Sequence, residues 1–165
     1  MNPISLHPSQ HLDDLRTLMQ HCTDYSMLID GHLPSEADIL QLFQDVPPNF
    51  PTEKLQLLGY FEPNGQGLQA AIWFLDGYPD PHTIYIGLLL VDERFRQQSL
   101  GKKMLEYAEN WGRANAHTRI RLGVADINTP AKRFWAKNGF IAYAPPIEMV
   151  FGLKTQQVHR LEKSL

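Results

Sequence analysis

The amino-acid sequence predicts a mixed α/β domain. Three observations carry that prediction. The run Ile84 to Val91 is continuously apolar and suits a central strand. Apolar residues at helical spacing follow it from Leu100 to Trp111. A second short apolar run, Ile120 to Val124, lies beyond that helix. Strand, helix and strand in that order make a crossover unit, the mark of an α/β architecture.

The other elements follow in chain order. Ile4 to Leu6 fits a short first strand. Pro8 and Ser9 open a helix whose apolar positions are Leu12, Leu15, Leu18 and Met19. Asp30-Gly31-His32-Leu33-Pro34 reads as a turn. Ser35 is placed to cap a second helix, with Asp38 at the capping-box position and Ile39, Leu40, Leu42 and Phe43 as its apolar side. Pro47, Pro48 and Pro51 end it. Leu55 to Phe61 and Leu68 to Leu75 are strand-like, and Pro63-Asn64-Gly65-Gln66-Gly67 between them is a hairpin signal. Gly77 to Pro81 is a break, and the Ile84 to Val91 run after it is apolar enough to be buried on both faces. Leu100, Met104, Tyr107, Ala108 and Trp111 form the inner side of the long helix. Thr129 and Pro130 read as the N-cap and first residue of another. Its apolar side is Ala131, Phe134 and Trp135, and Asn138-Gly139 stops it. Phe140 to Tyr143 begins a strand, and a last strand falls around Val158 to Leu161. The predicted order is strand, two helices, three strands, helix, strand, helix, two strands. No repeat, low-complexity tract or linker interrupts it, so residues 1–165 read as a single domain.

Composition narrows the function classes. The chain is 43% hydrophobic, enough for a sizeable core. Fifteen basic and 18 acidic residues leave a net charge of −3. Such a protein has no general attraction for nucleic acid or an anionic membrane, so any anion site is local. The single cysteine, Cys22, gives no disulfide framework and suits the reducing cytoplasm. Met1 to Leu18 lacks the pattern of a secretory signal, and no apolar run approaches the ~20 residues of a membrane helix. The seven histidines are scattered without zinc-ligand spacing, so no metal is expected.

The chemistry concentrates between the buried strand and the long helix. Arg94, Arg96, Lys102 and Lys103 place four cations in ten residues, and Gly101 removes a side chain where a phosphate would approach the backbone. A helix N-terminus offers unpaired N–H groups and partial positive charge, a good phosphate site. The same residues also suit an ordinary solvated basic helix start. A P-loop is excluded, because Arg96 stands where a glycine is required and Lys103 is neither Ser nor Thr.

Arg96-Gln97-Gln98-Ser99-Leu100-Gly101 after Leu88-Leu89-Leu90-Val91 resembles the coenzyme A motif of the GNAT acetyltransferases, Arg/Gln-x-x-Gly-x-Gly/Ala, with Ser99 in place of the first glycine. Asn128 to Phe140 is similar to the family's second motif, which runs from Asn through a helix to Gly-Phe. The stretch from Gly77 to Leu90 also resembles a group of bacterial members. The resemblance implies a central mixed sheet with helices on both faces and a splayed pair of strands holding coenzyme A. It places the pyrophosphate on the amides of Gln97, Gln98, Ser99, Leu100, Gly101 and Lys102, with Arg96 beside them. Pantetheine would run along Leu89, Leu90 and Val91, with Asn128 touching it from the far side. Asn128 also reads as a plain turn residue before a helix.

The implied activity is acetyl transfer from acetyl-coenzyme A to an amine, by direct attack on the thioester. Backbone N–H groups near Leu89 to Val91 are the implied oxyanion donors. His82, Tyr85 and Asp126 are the candidate bases. Each also has an ordinary reading as loop histidine, packed tyrosine and turn aspartate. Trp135 falls where many members place an acidic tyrosine. Indole only donates a hydrogen bond, so Trp135, with Phe134, is expected to form a wall of the cofactor site. The acceptor pocket would be covered by the first two helices and their connection, with Asp24, Tyr25, Asp30 and His32, and closed by Tyr78. A small-molecule amine is the expected acceptor. A non-catalytic coenzyme A binder, and an acetyltransferase of a protein, peptide or aminoacyl-tRNA amine, stay open as alternatives. Phe151 and the C-terminal segment could serve a homodimer or cover the sheet.

Overall fold

The computed structural model describes residues 2–62 and 67–165. These form seven strands and five α-helices: β1 (Ile4–Ser5), α1 (Pro8–Gln20), α2 (Thr23–Ile29), α3 (Glu36–Gln41), β2 (Leu55–Phe61), β3 (Leu68–Asp76), β4 (Thr83–Val91), α4 (Leu100–Ala114), β5 (Arg119–Ala125), α5 (Thr129–Lys137), β6 (Ile141–Phe151) and β7 (Lys154–Ser164). The strands make one mixed sheet in the order β1-β2-β3-β4-β5-β7-β6. Only β4 and β5 run parallel, joined by the α4 crossover. Among the described residues no helix is long and apolar enough to cross a membrane. Nor do three or more His, Cys, Asp or Glu side chains converge as a metal site there.

Strand periodicity divides the core between the two faces. Ala70, Ile72 and Phe74 of β3 pack with Met104, Leu105 and Ala108 of α4 and Trp135 of α5. The alternate residues Ala71, Trp73 and Leu75 pack with Leu15, Leu18 and Met19 of α1 and Ile39 of α3.

Most of the expected elements are present, with instructive departures. Ser35 and Asp38 form the expected reciprocal cap of α3. The short helix α2 was not expected. It has no side-chain cap and only a few inward residues, too little for a periodic signal. The N-cap of α5 is Asn128 rather than Thr129, its side chain accepting from the Ala131 amide at 3.2 Å, so Pro130 sits one position further in. β6 and β7 are each 11 residues long, well beyond the expected stretches. Pro145 and Pro146 obscure β6, yet it is an edge strand, where proline is tolerated. The hairpin signal at residues 63–66 lies outside the described residues. β4 is buried on both faces only in its first half. Ile84 and Ile86 are buried, whereas Gly87 is exposed and Leu88, Leu89 and Val91 are half-buried.

Candidate active site

That opening of β4 follows from strand pairing. β4 and β5 are bonded only from Thr83 to Ile86, opposite Arg119 to Leu122. Beyond this, β4 stays with β3 as far as Val91, while β5 stays with β7 as far as Ala125. The two strands therefore part. A cavity of about 390 Å³ fills the gap, lined by Ile86 to Val91, by Leu122 to Ala125 and by Asn128, Ala131, Phe134 and Trp135. The parting coincides with a bulge: Trp73 pairs with Leu88 and Phe74 with Ile86, leaving Gly87 without a partner. The Trp73 ring occupies the space a Cβ at Gly87 would need, so this position excludes any side chain. The free edge of β4 then offers main-chain polar groups to an extended ligand.

At the end of β4 a 3₁₀ turn, Glu93–Phe95, leads into α4. Gln97 and Ser99 have left-handed backbones, φ 66° and 62°. Ser99 is the N-cap of α4 but makes no side-chain cap. Lys103 donates to the Ser99 carbonyl. The amides of Leu100, Gly101 and Lys102 have no backbone partner among the described residues. Such a run of free N–H groups is an anion-binding concavity. A Cβ at Gly101 would lie 3.5 Å from Phe134 and 3.6 Å from Val91, so a longer side chain would enter the cavity.

Several of the charged groups around this turn are paired. The Arg96 guanidinium donates to both oxygens of Asp24, at 2.6 and 2.9 Å, and to the Val91 carbonyl at 3.2 Å. Arg96 holds the Asp24 carboxyl below the ordinary range. Asp24, expected at the acceptor, thus lines the first cavity as a tether between α2 and the turn. Lys102 pairs with Glu106 at 3.5 Å. Asp92 is fully buried, accepts from Arg94 at 2.7 Å and lies 2.7 Å from His21 Nδ1. Burial pushes its carboxyl up, but the hydrogen bonds from Arg94 and His21 outweigh this and hold it at about 2. Burial drives the neighbouring Cys22 thiol up to about 11, so it is no nucleophile at neutral pH.

A second cavity, about 600 Å³, meets the first at the strand parting; Tyr25, Gly87, Leu88, Gly123 and Phe151 line both. Tyr78 and Tyr85 form part of its wall, their rings edge to face at 5.7 Å. The Tyr85 hydroxyl lies 3.4 Å from where a Cβ on Gly123 would sit, at the junction of the cavities. Burial, with Tyr143 and Tyr78 nearby, raises its pKa. Tyr85 is therefore a proton-bearing donor at neutral pH. Burial also pushes Tyr25 up to about 12.

The other two candidate bases are elsewhere. His82 is exposed in the turn before β4, about 17 Å along the strand from Gly87. Asp126 is exposed and bonded by Lys132 at 2.6 Å and His159 at 2.8 Å, which hold its carboxyl below the ordinary range. Neither lines either cavity. Sequence reasoning missed Asp38, Asp45, Trp73 and Gly123 as cavity residues, since only the packing of α3, β3 and β5 brings them together.

The parted strands, the free-amide turn and the two joined cavities together form a site with room for an extended ligand that carries an anionic group. The chain belongs to the acetyltransferase (GNAT) family, whose sequence model matches residues 34–140. It is similar to an uncharacterized N-acetyltransferase of Lactobacillus delbrueckii subsp. lactis, 31% identical over 86 residues, 52% of this chain. The chain matches about half, 49%, of that curated relative's length. Among solved structures it is similar to an acetyltransferase from Thermus thermophilus, with TM-score 0.75 and 22% identity over 99% of this chain and 96% of the other. It is also similar to the ribosomal-protein-S18-alanine N-acetyltransferase of Escherichia coli, with TM-score 0.68 and 14% identity over 99% and 92% of the two chains. At these identities the structures share the fold.

Proposed function

We propose that the protein transfers an acetyl group from acetyl-coenzyme A to an amine of a small molecule in the cytoplasm, with residues 1–165 acting as one domain. The observation that carries this reading is the parting of β4 from β5 at Ile86 and Leu122, beside a helix start with free amides. The residues fit the cofactor. Gly101 leaves open the space a side chain would fill, and the turn lacks backbone partners for its first N–H groups. The amides from Gln97 to Lys102 would hold the pyrophosphate. The free edge of β4 from Leu89 to Val91 would pair with the pantetheine arm. Asn128, whose oxygen caps α5, and Phe134 and Trp135 would close the far side.

When bound, acetyl-coenzyme A supplies an activated acyl group on sulfur. The β4 edge supplies N–H donors for the charge that gathers on the carbonyl oxygen. The acceptor nitrogen forms the new C–N bond as the C–S bond breaks; the electron pair stays on sulfur, and an amine proton completes the thiol. Tyr85 would orient the nitrogen, and water would relay that amine proton to sulfur. Trp135 is buried against Phe134 and Phe140 and serves as wall, not acid. Trp135→Phe is therefore expected to keep most turnover.

The direct test is calorimetric titration with acetyl-coenzyme A. The wild type is expected to bind, and Gly101→Glu to lose at least about a hundredfold in affinity with its far-UV spectrum unchanged. Equal affinity in the two proteins would show that this turn is not the site.

A further inference from the structure

Resting on that reading, we infer that the acceptor is a small dication, a linear diamine or polyamine carrying at least two amino groups and no carboxylate. The second cavity opens on the reaction slot at Gly87 and Gly123, so it is where an acceptor must sit. Its lining includes Asp30, Asp38 and Asp45 and no lysine or arginine. Asp30 is half-buried in the wall, and Asp38 and Asp45 stand at the exposed rim. None of the three is in an ion pair among the described residues, although seven other Asp and Glu side chains in the same molecule are held by arginine or lysine within 3 Å. Lys154, which runs past Gly31, gives its ammonium to the carbonyls of Met27 and Leu28.

The rest of the wall is aromatic and suits the same ligand. Tyr25, Trp73, Tyr78 and Tyr85 line the cavity with aromatic surface that a methylene chain can pack against and that attracts an ammonium. Trp73 Nε1 is committed to the Leu42 carbonyl at 3.1 Å, and no hydrogen bond to the Tyr25, Tyr78 or Tyr85 hydroxyl is present among the described residues. An α-amino acid would bring its carboxylate against three aspartates with only His32 to meet it, and His32 Nδ1 already lies 2.8 Å from the Leu33 carbonyl. A linear amine instead places one nitrogen at the junction beside Tyr85. Its second, still protonated, then lies among the carboxylates. The cavity volume exceeds the need of a four-carbon diamine and leaves room for a longer polyamine. Charge complementarity of this kind also discourages the wrong partner, since like charges facing each other are repelled.

The test compares acetyl-coenzyme A turnover with 1,4-diaminobutane, spermidine, 1-aminobutane and 4-aminobutanoate, four linear amines differing in charge. A diamine or polyamine is expected to exceed 1-aminobutane in kcat/KM by about tenfold or more, with 4-aminobutanoate the poorest. Asp30→Asn and Asp45→Asn keep side-chain shape and leave the α3 cap intact. Each is expected to raise KM for the diamine several-fold with little change in kcat, and to leave KM for 1-aminobutane nearly unchanged. Equal use of 1-aminobutane or 4-aminobutanoate, or KM values unmoved in both folded variants, overturns the dication while the acetyltransferase reading stands. Acetyl-coenzyme A binding with no turnover of any of these amines also overturns it. Absence of acetyl-coenzyme A binding by calorimetry overturns both.

Discussion

The two cavities share one junction but hold their charges in opposite ways. Beside the first cavity, Asp24 is clamped by Arg96, and in the adjoining turn Asp92 is buried between Arg94 and His21. At the second cavity, Asp30 and Asp45 line the wall without an ion pair among the described residues, and Asp38 is held by Ser35 as the cap of α3. Paired charges fix a backbone shape, here the turn that carries the free amides. A half-buried carboxylate without a cationic partner, here Asp30, does the reverse: burial disfavours its charge in the empty protein and leaves a negative field for a ligand to satisfy. On the proposed reading, the difference separates residues that build the site from residues that select what enters it.

The largest expected effect lies on the building side. Trp135 is 7% exposed and packs against Phe134 and Phe140 at ring distances of 4.9 and 5.1 Å. Trp135→Ala should cost about 3–5 kcal/mol, the range for deleting a large buried ring. Urea unfolding would measure it. A loss below about 1 kcal/mol would mean that this wall is not part of the core, and would break the contrast drawn above.

Asp92 comes next. Its carboxyl lies at about 2, against the ordinary 3.8. A depressed value means that the folded state favours the charged form. The stabilisation is complete above the ordinary value and is lost as pH falls from about 4 to about 2. The shift corresponds to about 2 kcal/mol. Asp92→Asn should be less stable than wild type at pH 7, and the gap should narrow by that amount at pH 2. A gap constant across that range, by denaturant titration at each pH, would show that the pairing contributes no pH-dependent stability.

Most of the architecture could be read from the sequence because it rests on local signals. The Ser35–Asp38 cap, the Ile84 to Val91 run and the α4 stripe each need only neighbouring residues. The turn before α4 was legible for the same reason: Arg96 to Lys102 is one continuous segment. The partner of Arg96 was not, because Asp24 is 72 residues away and its role depends on α2, which has no periodic signal. His82 and Asp126 were attractive by residue type alone, and only the register of β4 and the Lys132 contact place them outside the cavities. The three aspartates of the second cavity come from the connection before α3, from α3 itself and from the connection after it, so no single periodicity gathers them. Long edge strands such as β6, with Pro145 and Pro146 inside, likewise escape period-two patterns.

A smaller effect tests the turn itself. Ser99 stands in the left-handed region at φ 62°, where a non-glycine residue is strained by about 1 kcal/mol. Glycine removes that strain but adds freedom to the unfolded chain. Ser99→Gly should therefore gain about 0.5 kcal/mol, read as a rise in melting temperature. The amides that face the ligand are the same in both proteins, so affinity for acetyl-coenzyme A should not change. A variant that melts lower, or binds differently, would mean that the Ser99 side chain has a part in the site.

The smallest predicted change has the opposite sign from an ordinary loss of charge. Burial, with Asp38 nearby, raises the Asp30 carboxyl, and His32 works against that shift. A raised value means that the folded state resists the charged form. The penalty is absent below the ordinary carboxylate pKa of ~3.9, grows as pH rises through the folded value and is constant above it. Asp30→Asn should therefore stabilise the ligand-free protein at pH 7, by no more than about 0.5 kcal/mol, as for most substitutions outside the core. The gain should fade toward pH 3. Saturating 1,4-diaminobutane should reverse the order, because the cation meets the charged wild-type side chain and not the neutral amide. Melting curves of both proteins at pH 7 and pH 3, with and without the diamine, measure every arm. Were the variant less stable at pH 7 without ligand, Asp30 would belong with the paired, structural carboxylates of the cofactor side, and the division between the two cavities would fail at its most buried acceptor residue.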